Sequence, residues 1–150
     1  MKKLLVLIPL IFVTSSFAQT PDVKPPLQAP AFKAHVLSRA ELDDLLKKPE
    51  SLLFIDVRRP DEVTNVGGFP VYLSIQSDSL ASSLAWIPKD RLIVTVSNHA
   101  ARAGKAADLL TAKGFKVAGA VGAQVYEKDG GALTKITARP APADPAGNAR

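Results

Sequence analysis

Between residues 34 and 137, short apolar runs alternate with helix-period patterns. Ser51–Val57 is apolar on both faces until Asp56 and reads as a buried strand. Leu92–Val96, β-branched through its centre, reads as a second one. Lys116–Ala120 is a last short strand, His35–Leu37 another short candidate, and Val71–Ile75 a weaker one. Ser38 and Glu41 have the spacing of a capping box, and Leu42, Leu45 and Leu46 follow at i, i+3, i+4. That predicts a helix ending before Pro49. Asp78–Trp86 reads as a short helix stopped by Pro88. Ala101–Lys113 reads as a helix with Ala103, Ala106, Ala107 and Leu110 on one face and Gly114 as its C-cap. Gln124–Lys128 has the length of one helical turn.

Strands that are apolar on both faces belong in a parallel sheet covered by helices on both sides. The expected fold is therefore α/β, with a central parallel sheet of about five strands in a three-layer arrangement. In such sheets ligands bind at the carboxyl ends of strands, beside helix N-termini. The segment that follows Leu92–Val96 is Ser97-Asn98-His99-Ala100-Ala101-Arg102, which makes it the candidate site.

The chain ends have a different character. Lys2 and Lys3 precede an apolar run from Leu4 to Val13, and small residues Ser16 and Ala18 follow. This is the pattern of a secretory signal, with residues 1–18 removed. As an uncleaved anchor, the run would cover only about half of a ~30 Å hydrocarbon core. The expected location is outside the cytoplasm: the periplasm of a Gram-negative cell, otherwise secreted. No stable membrane insertion is expected after cleavage. Residues 19–33 hold Pro21, Pro25, Pro26 and Pro30 and read as an extended spacer. Residues 138–150 are Pro- and Ala-rich and read as a disordered tail. One domain, 34–137, lies between them.

Composition narrows the chemistry. The 150 residues include no cysteine, which excludes disulfides, thiolate metal sites, a thiolate nucleophile and lipidation of a cysteine. The formal charge of +5 includes Lys2 and Lys3, and no Lys/Arg block occurs, so nucleic acid is not an expected partner. His99 has no second His, Asp or Glu at ligand spacing, and neither a metal nor a cofactor is expected.

Four pieces, in order, resemble the rhodanese-like family. Phe54-Ile55-Asp56-Val57-Arg58 is similar to the family's D-V-R strand end, with Glu62 following as its acidic residue does. Gly67-Gly68-Phe69-Pro70 stands where the family has Gly-His-Ile-Pro. Leu92 to Ala107 resembles the strand, active-site loop and following helix, and Val121–Tyr126 resembles the closing segment. The resemblance covers residues 34 to about 133. It implies a rhodanese-like three-layer fold. It also implies a loop in which backbone N–H groups and a helix N-terminus hold an anion near a persulfide-forming cysteine. Here Ser97 stands at the cysteine position, Ala100 replaces the loop's usual Gly, and Gly68 replaces a His.

A serine hydroxyl cannot form a persulfide, so the family's sulfur transfer is not available to this chain. Ser97 reads as a small polar filler or as a nucleophile, and the second reading needs a base and an orienting group. His99 lies two residues away in a tight loop, and His35 is far off in sequence. His99 itself reads as a surface ligand or a substrate-facing residue. Arg102 either presents a fork to an anion or hydrogen-bonds loop carbonyls. Asp56, Arg58 and Glu62 read as structural support for the loop, and Trp86 and Tyr126 as core or rim aromatics. The expected function is an exported, catalytically inactive module that binds a small anion or an exported protein partner. The alternatives are residual or altered sulfurtransferase activity, or a Ser97-dependent hydrolase. The five-residue step from Ser97 to Arg102 matches rhodanese-like loops, whereas the related phosphatase loops are one residue longer.

Overall fold

A computed structural model describes residues 31–135. The expected signal, most of the spacer and the tail lie outside the described residues. Four parallel strands form one sheet in the order β2-β1-β3-β4: β1 Leu52–Asp56, β2 Leu73–Ser74, β3 Leu92–Ser97 and β4 Val117–Gly122. Four α-helices accompany them: α1 Arg39–Leu45, α2 Pro60–Val66, α3 Ala101–Ala112 and α4 Ala123–Lys128.

Strand alternation divides the core. Leu52 and Phe54 of β1, with Val94 and Val96 of β3, point to one face and meet Leu42 of α1, Phe69 and Tyr126 of α4. Ile55 and Ile93 point to the other and meet Leu110 and Ala106 of α3, with Leu80 and Ile87. Both faces are therefore covered, as the apolar-both-sides pattern requires. Alanines 103 and 107 let α3 lie close against Ala120 of β4.

The expected strand at His35–Leu37 is reduced to a single bridge. Val36 pairs in parallel with Ala120, whose N–H donates to the His35 carbonyl at 2.8 Å and whose carbonyl accepts from the Leu37 N–H at 2.9 Å. Ser38 begins the α1 cap directly afterwards, so the pairing has no room to extend. This approach needs Gly119, because a Cβ there would lie 2.6 Å from the His35 carbonyl oxygen. Val71–Ile75 pairs only through Leu73 and Ser74, opposite Ile55 and Asp56. It follows Pro70 on the sheet edge, where Val71 is left exposed.

The expected helix over Asp78–Trp86 is instead two separate 3-10 turns, Ser77–Ser79 and Leu84–Trp86. The Ser82 and Ser83 hydroxyls donate to the Ser79 carbonyl at 2.9 and 2.7 Å, competing with helix-type backbone bonds. α3 ends with Lys113 at the C-cap position, and Gly114 follows at φ 80°. α2 was not expected from the periodicity. Its signals are nonetheless present: Pro60 at the first turn, Asp61 and Glu62 beside the helix N-terminus, and Gly67 at φ 97° after its end. Among the described residues no helix is long and apolar enough to cross a membrane.

Candidate functional site

The carboxyl ends of β1 and β3 lie side by side, with Asp56 in register with Val96. Asp56 is 1% exposed and Arg58 is fully buried. The Arg58 Nε donates to Asp56 Oδ1 at 2.9 Å and Nη2 donates to Oδ2 at 2.6 Å. Nη2 also donates to the Gly67 carbonyl at 2.9 Å, and Nη1 donates to Asn98 Oδ1 at 3.2 Å. Asn98 Nδ2 donates onward to Glu62 Oε1 at 3.0 Å. Glu62 in turn accepts both Arg102 Nη atoms, at 2.8 and 2.5 Å. Asp56, Arg58, Asn98, Glu62 and Arg102 thus form one continuous chain of charged hydrogen bonds beneath and beside the loop.

This places Arg102 with a partner that neither expected reading named. Its fork engages a carboxylate from α2 rather than loop carbonyls, and two carboxylates stand against two guanidinium groups in the network. Any pull on an anion must therefore come mainly from backbone dipoles.

Ser97 closes β3 and is 1% exposed. Its Oγ accepts the Ala103 N–H at 3.2 Å. The N-cap of α3 is Ala100, which offers no side-chain cap, so the serine six residues before Ala103 takes over one orphan donor of the first turn. Ala100 itself sits at φ 65°, the left-handed region. For a residue with a Cβ that conformation costs roughly 1–2 kcal/mol, and glycine would avoid the cost. The loop backbone packs on Gly122 of β4, where a Cβ would lie 3.0 Å from the Ala100 nitrogen and 3.1 Å from the Asn98 carbonyl oxygen. The Gln124 N–H holds that same carbonyl at 3.2 Å. Among the described residues, no acceptor takes the N–H of His99, Ala100, Ala101 or Arg102.

Neither histidine reaches Ser97 by a hydrogen bond among the described residues. His35 Nε2 faces Glu41 Oε1 at 2.9 Å, and His99 is exposed. Tyr126 is buried, stacks obliquely against Phe69 and donates its hydroxyl to Asp43 at 2.7 Å. Trp86 is 83% exposed and lies away from the core. Among the described residues no group of three or more His, Asp and Glu is placed to hold a metal ion. Sequence reasoning did not single out Gly122 or the Gly67 carbonyl. The first is legible only once β4 is known to run beside the loop.

Glu62 is the titrating element of the network. Hydrogen bonding from Arg102 is the largest influence, aided by the Arg59 N–H and the charges of Arg102 and Arg59. Together they outweigh burial and hold its carboxyl at about 2, below the ordinary 4.5. A carboxyl depressed on folding stabilises the folded state above its unfolded pKa, and that stabilisation is lost as pH falls through the folded value. Thermal stability should therefore decline between pH 4.5 and 2. Glu62→Gln should make that decline shallower while costing roughly 1–3 kcal/mol at neutral pH, the range for a lost charge-assisted hydrogen bond. Denaturant melts of both proteins across that pH range check it. An unchanged slope in the variant would contradict the assignment.

No family model and no curated protein sequence matches the chain. Several solved structures do. A rhodanese-related protein from Thermoplasma volcanium is 19% identical and superposes with a TM-score of 0.59, covering 70% of this chain and 100% of its own. A rhodanese-like domain protein from Staphylococcus aureus is 23% identical at a TM-score of 0.52, over 58% of this chain and 84% of its own. Reduced CoADR-RHD from Bacillus anthracis is 29% identical at a TM-score of 0.55, over 62% of this chain. The chain spans only 16% of that longer protein.

Proposed function

On this rhodanese-like fold, we propose an exported, non-catalytic module that holds a small anion at the loop between β3 and α3. The carrying observation is Ser97. It stands at the head of the loop in a chain without cysteine, is 1% exposed, and its oxygen accepts the Ala103 N–H while neither histidine hydrogen-bonds to it. A serine nucleophile requires a neighbouring base to remove its proton, and that partner is missing among the described residues. The hydrolase reading accordingly has no geometric support here.

The anion reading is supported by what the loop retains. The N–H groups of His99, Ala100, Ala101 and Arg102 are without acceptors among the described residues, at the positive end of a twelve-residue helix. The left-handed turn at Ala100 is kept although alanine disfavours it. Export is supported by the charged, apolar and small-residue pattern of residues 1–18.

Titration with sulfate or thiosulfate, followed by thermal unfolding at fixed ionic strength, tests the binding claim. A ligand that binds only the folded state should raise stability saturably, by about 2.7 kcal/mol at a hundredfold excess over Kd. Gly122→Ala, which presses on the Ala100 nitrogen, should weaken that response. A response that never saturates, or that chloride reproduces, would overturn it.

A further inference from the structure

We propose that the face carrying Trp86 is a docking surface for an anionic lipid bilayer. The inference does not rest on the anion-binding loop. Trp86 is the single tryptophan of the chain and is 83% exposed. An isolated exposed leucine is ordinary, but a projecting tryptophan leaves far more apolar surface in water. It is not displayed by a loose end. The Leu84–Trp86 turn is bracketed by Leu80 at 1% and Ile87 at 4% exposure, both packed against α3. Its backbone is tied by the Trp86 N–H to the Ser83 carbonyl at 3.0 Å. The indole is therefore held out on a fixed support.

The charges around it select the partner. Leu84, Ala85, Lys89, Lys113 and Phe115 line one hollow beside the indole's turn, with the Lys89 ammonium 5.4 Å from the Phe115 ring centre. Lys105 continues the same flank of α3, beside Leu109. Segment 84–116 carries six basic residues against two acidic ones, whereas segment 39–62 carries seven acidic against five basic. Lys89 and Lys113 thus lie beside the turn that presents Trp86. Asp78 lies on the first of the two turns, and Asp90 follows the second by four residues. Protein interfaces favour arginine and are depleted in lysine. Lysines beside the turn of a projecting tryptophan instead suit a bilayer surface, where indoles seat at the headgroup level and lysine stems lie along it.

The single tryptophan makes the test direct. The full chain is mixed with phosphatidylglycerol-containing vesicles, with pure phosphatidylcholine vesicles, and with polyglutamate. The emission of Trp86 is followed, so attachment through any other segment does not mimic the signal. The expected result is a blue shift with the anionic vesicles alone, weakening as salt rises. Each lysine near the surface contributes about fivefold to partitioning. Reversing both Lys89→Glu and Lys113→Glu should therefore weaken partitioning by at least about 25-fold, while circular dichroism confirms the fold. No shift with anionic vesicles overturns the proposal. A shift with polyglutamate but not vesicles overturns it equally, because the partner would then be an acidic protein. A shift unaffected by the double charge reversal also overturns it.

Discussion

Arg58→Met should destabilise the domain by about 3–5 kcal/mol, the cost of leaving one member of a buried ion pair without its partner. Arg58 is fully buried and Asp56 is 1% exposed, so water cannot replace the lost guanidinium. The remaining donor on Asp56 would be the Arg58 backbone N–H at 3.1 Å. The Gly67 carbonyl and Asn98 Oδ1 would lose their donor at the same time. Domains of this size hold roughly 5–15 kcal/mol in total, so the change removes about a fifth or more of the stability. At roughly 4–8 °C per kcal/mol, thermal unfolding should fall by at least 12 °C. The double variant Asp56→Leu/Arg58→Met should be less damaged than Arg58→Met alone, because no unpaired charge is then buried. Urea denaturation of the three proteins measures this. A loss below about 1 kcal/mol, typical of exposed pairs, would show that the pair is solvated and does not anchor the loop.

Ser97→Cys should create persulfide chemistry where the natural chain has none. The substitution puts sulfur where Oγ now accepts the Ala103 N–H, at the start of α3. Helix N-termini lower a thiol pKa from ~8.5, and a drop of one unit raises the thiolate fraction at pH 7 roughly eightfold. The thiolate would attack the outer sulfur of thiosulfate. A new S–S bond forms, the bond to the sulfonate sulfur breaks, and sulfite leaves with the electron pair. Intact mass after thiosulfate treatment should rise by one sulfur atom in Ser97→Cys and stay unchanged in the natural protein. Position 97 is 1% exposed, so slow entry of thiosulfate is expected to limit the rate. A folded variant that gains no sulfur would mean that Ala100 and the other departures have also dismantled the anion cradle.

Much of this is legible in the sequence. β1 and β3 were visible because each is apolar on both faces, and α1 because Ser38 and Glu41 form the capping box that the structure contains. The loop was found from its place after a buried strand and before an alanine-faced helix. What escaped detection depended on partners distant in sequence. The sequence offers Arg102 an anion or its own loop carbonyls, whereas its carboxylate comes from α2, forty positions earlier. α2 buries only Val63, too little to produce a periodic signal, so Pro60 at its start and Gly67 at its end are the marks it leaves in the sequence. The 77–86 segment had helical length, but its serines bond their own backbone, a local competition that hydrophobic periodicity does not register.

The central claim is that the loop has kept its architecture while the chain has no catalytic sulfur. The most direct measurement is thiocyanate formation from thiosulfate and cyanide by the natural protein, against a buffer blank and against Ser97→Ala. The expected result is three indistinguishable rates. A rate for the natural protein above the blank, and absent from Ser97→Ala, would contradict the account, because it would make Ser97 a catalytic residue.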